Sequence, residues 1–77
     1  MADATLDARG LRCPLPVLRA RKAMQPLAPG QVLLLIATDP GTHADVQAFC
    51  AATGHVLLDS HEAAGELTYQ IRKASGR

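Results

Sequence analysis

Aromatic residues are nearly absent from this 77-residue chain: it has no tryptophan, one phenylalanine (Phe49) and one tyrosine (Tyr69). Stacking platforms for single-stranded nucleic acid need several such rings, so direct nucleic-acid binding is not expected. Net charge is also scarce, at +1. That argues against bulk attraction to a polyanion and, with nearly half the residues apolar, against a disordered chain. Cysteine is limited to Cys13 and Cys50. They lack the paired spacing that suggests zinc or a dithiol, and in a reducing cytosol they are expected to be free thiols. The longest apolar run, Val32–Ala37, is six residues, far short of a membrane span. The first ten residues carry two acids and no hydrophobic block, unlike a secretory signal, so a cytoplasmic location with no membrane partner is the expectation.

What remains is enough for one small core. Alanine accounts for 14 of the apolar residues and cysteine for 2, leaving 21 larger side chains. These can fill one layer between a sheet and a pair of helices, not a deep ligand cavity. The chain reads as a single domain over residues 1–77, with loose termini at residues 1–4 and 74–77.

Thr5–Ala8 reads as a short strand, and a turn through Arg9-Gly10-Leu11-Arg12 leads to Cys13-Pro14-Leu15-Pro16. Proline is tolerated in a helix's first turn, where its missing N–H had no intrahelical partner, so the two prolines mark a helix start. Cys13, Val17, Ala20, Met24 and Leu27 then follow the helical period as one apolar stripe, closed by Pro26, Pro29 and Gly30. Val32–Ala37 reads as a buried central strand. After the Asp39-Pro40-Gly41 turn, Thr42 and Asp45 have the spacing of a capping box, with Asp in the place usually held by Glu or Gln. The helix they open carries Val46, Phe49, Cys50 and Thr53 on one side and stops at Gly54. Val56–Asp59 reads as a third strand. Beyond the Ala63-Ala64-Gly65 turn, the alternation of Leu67, Tyr69 and Ile71 with polar residues makes a fourth. The order βαβαββ, with one apolar stripe per helix, implies an α/β (α+β) two-layer sandwich: a mixed four-stranded sheet with both helices on one face.

Cys13 is the residue on which chemistry can be built. A sulfur just before a proline-started helix, near Arg9 and Arg12, is expected to ionise more readily than a free cysteine. Pro14 and Pro16 offer no N–H, so their rings serve to fix the sulfur's position more than to acidify it. An equally good reading by pattern alone is a small buried cysteine that begins the apolar stripe. If Cys13 is a nucleophile, its isolation matters. Pro16 stands where a Cys-x-x-Cys motif would place the second thiol, and the next histidine, His43, is remote in sequence, which leaves disulfide exchange and Cys–His hydrolysis without local support. A cysteine persulfide, by contrast, is destroyed by a neighbouring thiol and protected by isolation, and it forms and transfers by thiolate attack on a sulfur–sulfur bond.

At these residues the chain resembles the TusA (SirA-like) sulfur-carrier family. The likeness rests on Leu6-Asp7, Gly10-Leu11-Arg12-Cys13-Pro14-Leu15-Pro16, Pro29-Gly30, Thr38-Asp39-Pro40, Phe49-Cys50, Gly54-His55 and Ile71-Arg72-Lys73. Of these the Cys-Pro-x-Pro signature is the most specific. The resemblance implies the same βαβαββ fold. It also implies that Cys13 accepts sulfur as a persulfide from a cysteine desulfurase or similar donor and hands it to a downstream acceptor protein. This is sulfurtransferase chemistry by stoichiometric relay, with the sulfur carried covalently and no separate cofactor. Destinations implied by the family are tRNA thiolation, molybdenum-cofactor assembly and sulfur oxidation. The alternative from another class is a regulatory interaction module whose cysteine transfers nothing.

The charges are divided along the chain. Residues 8–38 hold five basic side chains and no acid, whereas residues 39–66 hold five acids and no Lys or Arg. Arg19, Arg21 and Lys22 face away from the first apolar stripe, either as an ordinary solvated face or as docking contacts for an acidic partner. Cys50 lies on the second stripe and reads as a core residue. His43, His55 and His61 have no metal-ligand spacing, so no metal is expected.

Overall fold

The computed structural model describes residues 2–74; Met1 and residues 75–77 lie outside them. Loose termini were expected over residues 1–4 and 74–77, but the described ends are tied down: Ala4 opens the first strand, Asp3 exchanges hydrogen bonds with Val32 (2.8 Å each), and the Ala74 N–H donates to His55 (2.8 Å). The elements are β1 (Ala4–Ala8), α1 (Leu15–Met24), β2 (Val32–Ala37), α2 (Thr42–Thr53), β3 (Val56–Ala63) and β4 (Glu66–Arg72). They form a mixed four-stranded sheet in the order β1-β2-β4-β3. β1 and β2 are parallel, while β4 runs antiparallel to both β2 and β3. Each helix therefore connects two parallel strands: α1 joins neighbours, and α2 crosses over β4, which returns to fill the gap. This is the two-layer α+β architecture expected from the element order.

Alternation decides which face is covered. Leu33, Leu35 and Ala37 of β2 and Leu67, Tyr69 and Ile71 of β4 are buried beneath the helices, opposite one another in register. Val17, Ala20 and Met24 of α1 and Val46, Phe49 and Cys50 of α2 meet them. A fully buried Val or Met of this kind contributes about 1.5–3 kcal/mol. β2 was expected to be buried throughout, and it is central, but Val32, Leu34 and Ile36 are only half-buried. A two-layer fold has no second layer to cover that face. These three side chains sit among Thr5, Asp7, Thr68, Gln70 and Arg72, whose stems shield them in part.

β3 continues four residues past the expected Asp59. It is an edge strand with almost no buried side chains, so it has no hydrophobic period to read. Backbone pairing with β4, interrupted by a bulge between Leu57 and Asp59, holds it in place. Two ties close the helix layer. Gly54 takes φ of 83° and ends α2, its N–H donating to the Cys50 carbonyl. The Lys73 ammonium donates to the carbonyls of Met24 and Gln25 (2.6 and 3.1 Å), anchoring the end of β4 on the C-terminus of α1.

Candidate functional site

Because β1 and β2 are parallel neighbours, the loops that leave them emerge side by side at the carboxyl ends of the strands, where open α/β sheets place their sites. Cys13 lies on the first loop, and Asp39 and Gly41 lie on the second. The Asp39 carboxylate joins the two. Its Oδ2 accepts the Cys13 N–H (2.7 Å) and its Oδ1 accepts the Gly41 N–H (2.9 Å). These two bonds, with help from the Arg12 guanidinium, hold the Asp39 carboxyl below the usual carboxylate range. A third tie runs from the Gly10 N–H to Oγ1 of Thr38 (2.9 Å).

Cys13 is solvent-exposed and a free thiol, so the buried reading does not hold. Pro14 is the N-cap of α1 and Pro16 is buried in its first turn, while the Cys13–Pro14 bond is cis. Exposed Leu15 and Leu18 (43% and 50%) follow on α1, giving the thiol an apolar flank.

The expected acidic thiol is corrected. The Cys13 sulfhydryl hydrogen-bonds to Oδ2 of Asp45, and this bond, with some desolvation and the charges of Asp45 and Asp39, pushes the thiol up to about 11. None of the features meant to lower it reaches the sulfur. Pro14 and Pro16 have no N–H, and that of Leu15 is taken up by the Arg12 carbonyl (2.8 Å). Arg9 turns back to pair with Asp7 (2.9 Å) and Glu66 (3.2 Å). Arg12 acts on Asp39.

The expected capping box is also absent. Gly41 is the N-cap of α2 and no side chain caps it. Thr42 is therefore the first helical residue, fully buried, and Asp45 falls one position beyond the box, free to turn towards Cys13. Asp39 and Asp45 were thus missed as site residues. The signal that could have exposed Asp39 was topological: two parallel strands must end in adjacent loops.

The basic residues of α1, Arg19, Arg21 and Lys22, are all exposed. Arg21 has an internal partner, its guanidinium lying 5.4 Å from the centre of the Phe49 ring. Cys50 is buried, and burial pushes its thiol up. Among the described residues, no three His, Cys, Asp or Glu side chains are grouped so as to hold a metal. His55 accepts the Ala74 N–H at Nδ1 (2.8 Å) and packs on Phe49. No helix among the described residues is long and apolar enough to cross a membrane. An open groove of about 540 Å³, lined in part by His43, Ser60, Glu62 and Tyr69, meets the site through Thr38 and Pro40.

The family model described as Sulfurtransferase TusA matches residues 4–73. A sulfur carrier protein TusA from Pseudomonas entomophila is 54% identical over 71 residues, covering 92% of this chain and 89% of that one. A sulfur carrier protein TusA from Allochromatium vinosum is 49% identical over 72 residues, covering 94% and 95%. The crystal structure of a SirA-like protein from Desulfitobacterium hafniense superposes with a TM-score of 0.81 at 26% identity, over 92% of this chain and 97% of that one.

Proposed function

This chain belongs to the TusA sulfurtransferase family, and we propose that within it Cys13 carries the sulfur, as a persulfide. A sulfur-carrier role implies a donor and an acceptor. In this proposal the donor is a cysteine desulfurase or similar persulfidated protein, and the acceptor is another carrier or a thiolating enzyme. The destinations would be those considered above: thiolated tRNA, molybdenum cofactor or a sulfur-oxidation route. A reducing cytoplasm suits a carrier whose thiol must stay free.

One observation carries the reading: Cys13 is the exposed thiol, held rigidly at a helix start, while Cys50 is buried. The Asp39 carboxylate fixes the backbone on both sides of the sulfur, Pro14 and Pro16 fix the start of α1, and Leu15 and Leu18 offer apolar surface for docking. The thiol stands exposed to solvent, as suits a group that meets other macromolecules. In the transfer, the Cys13 thiolate attacks the terminal sulfur of the donor persulfide. A new S–S bond forms at Sγ, the donor's S–S bond breaks, and the donor departs as a thiolate, with no net oxidation.

The test is intact mass after incubation with a cysteine desulfurase and cysteine. Gain of one sulfur, removable by reductant, lost in Cys13→Ala and kept in Cys50→Ala, is the expected result. A protein that binds the desulfurase but gains no mass would instead be an interaction module.

A further inference from the structure

The contact between Cys13 and Asp45 puts a carboxylate against the very sulfur that a carrier must load and unload, a poor choice for an activated nucleophile. Its use is on the other half of the cycle. Resting on the persulfide reading, we propose that Asp45 is a catalytic residue of donation: by accepting the S–H hydrogen bond it keeps the loaded sulfur as a neutral hydropersulfide, the form an acceptor thiolate can attack.

A persulfide ionises more readily than its parent thiol, because the charge spreads over two sulfurs. Once ionised, its terminal sulfur is a nucleophile and repels an incoming thiolate. The protonated form is the electrophile. The terminal sulfur is only one S–S bond, about 2.05 Å, beyond Sγ, so the carboxylate that holds the thiol proton remains beside it. The charged groups facing the sulfur are Asp45 from α2 and Asp39 from the β2–α2 loop, both anionic. Arg9 is paired with Asp7 and Glu66, and the charge of Arg12 acts on Asp39. The local field therefore favours a proton on sulfur, whether the group is thiol or hydropersulfide. In donation, the acceptor thiolate attacks the terminal sulfur, a new S–S bond forms, and the Sγ–S bond breaks with its electron pair returning to Sγ. The more acidic persulfide now on the acceptor releases its proton, and the Cys13 thiolate regains one, held again by Asp45.

A raised affinity for protons also makes Cys13 a poorer leaving group, and the magnitudes decide between the two effects. Each pKa unit changes the protonated fraction of an ionised persulfide about tenfold, whereas the leaving ability of a thiol falls by less than the full change in its basicity. Protonation wins. Uptake obeys the opposite balance: removing the carboxylate frees thiolate about tenfold per unit and loses about 0.4–0.5 of that logarithm in nucleophilicity.

The experiment compares the unsubstituted protein, Asp45→Asn and Asp45→Glu, each loaded with inorganic polysulfide and then unloaded at neutral pH to glutathione. Both steps are followed by intact mass, and thermal melts confirm folding. Asp45→Asn should load about three- to tenfold faster and donate about three- to tenfold more slowly, while Asp45→Glu restores the wild-type donation rate. Slowing of both steps together, or an unchanged donation rate in Asp45→Asn, overturns the role given to Asp45. Failure of every form to gain sulfur at Cys13 overturns the carrier reading and takes this proposal with it.

Discussion

Gly41 and Cys13 touch across the two loops: a Cβ on Gly41 would stand 3.3 Å from the Cβ of Cys13 and 3.5 Å from its Sγ. The φ of Gly41 is −66°, open to any residue, so it is the Cys13 Cβ, with the Asp39 carboxylate 3.4 Å away, and not the backbone that keeps this position small. Gly41→Ala should displace the Cys13 side chain by a few tenths of an ångström and so disturb its contact with Asp45, while leaving α2 intact. A shift of that size should change sulfur loading about threefold, with stability altered by less than about 1 kcal/mol. Loading kinetics beside a thermal melt test this, and unchanged loading would show that the contact has no bearing on the thiol.

The pH dependence of Cys13 has a defined sign. The ordinary thiol value is 9.0 and the folded value is about 11. Below pH 9 both states hold the proton. Between pH 9 and 11 the folded state keeps a proton that the unfolded chain has released, so this stabilising contribution is lost as pH rises through that window. Alkylation of Cys13 by iodoacetamide should accordingly rise steeply only above pH 9, with a midpoint near 11. In Asp45→Asn the midpoint should fall back towards that of a free thiol. A wild-type midpoint at or below 8.5 would contradict the hydrogen bond to Asp45.

Arg9 belongs to the sheet edge, not to the sulfur. Its guanidinium lowers the Asp7 carboxyl to about 2, chiefly through the side-chain hydrogen bonds between them. A depressed carboxylate of this kind stabilises the fold above its ordinary 3.8, and the contribution is lost as pH falls through 2. Arg9→Ala should return the Asp7 titration, followed by NMR, to the ordinary carboxylate range. It should leave the alkylation profile of Cys13 unmoved. A downward or upward shift of the Cys13 profile in this variant would bring Arg9 back into the site.

Cys50 is buried against Phe49 and Val46 in the core cluster. Cys50→Ala removes one buried sulfur and leaves a small void, so a loss of about 1 kcal/mol is expected in denaturant unfolding. Sulfur loading at Cys13 should be unchanged. A loss of loading in folded Cys50→Ala would assign the second thiol a chemical role.

Much of the molecule was legible residue by residue. The paired prolines at 14 and 16 located α1, Gly54 located the end of α2, and the alternation of Leu67, Tyr69 and Ile71 located β4, because each signal is local and acts through backbone geometry or a single buried face. β3 was read too short for the converse reason. Its polar run Asp59-Ser60-His61-Glu62 has no buried period, and only pairing with β4 makes it a strand.

The element order, the apolar stripes and the lack of a second thiol near Cys13 along the chain could all be read from the residues in order, since these depend on neighbours along the chain. Tertiary structure alone decided the environment of the sulfur. The parallel pairing of β1 and β2 brings Asp39 and Gly41 beside Cys13, and the N-cap of α2 at Gly41 places Asp45 against its thiol. The proximity of Arg9 and Arg12 along the chain suggested a positive site. Electrostatics depends on distance through space, and over a few ångströms the two carboxylates from 26 and 32 residues downstream prevail.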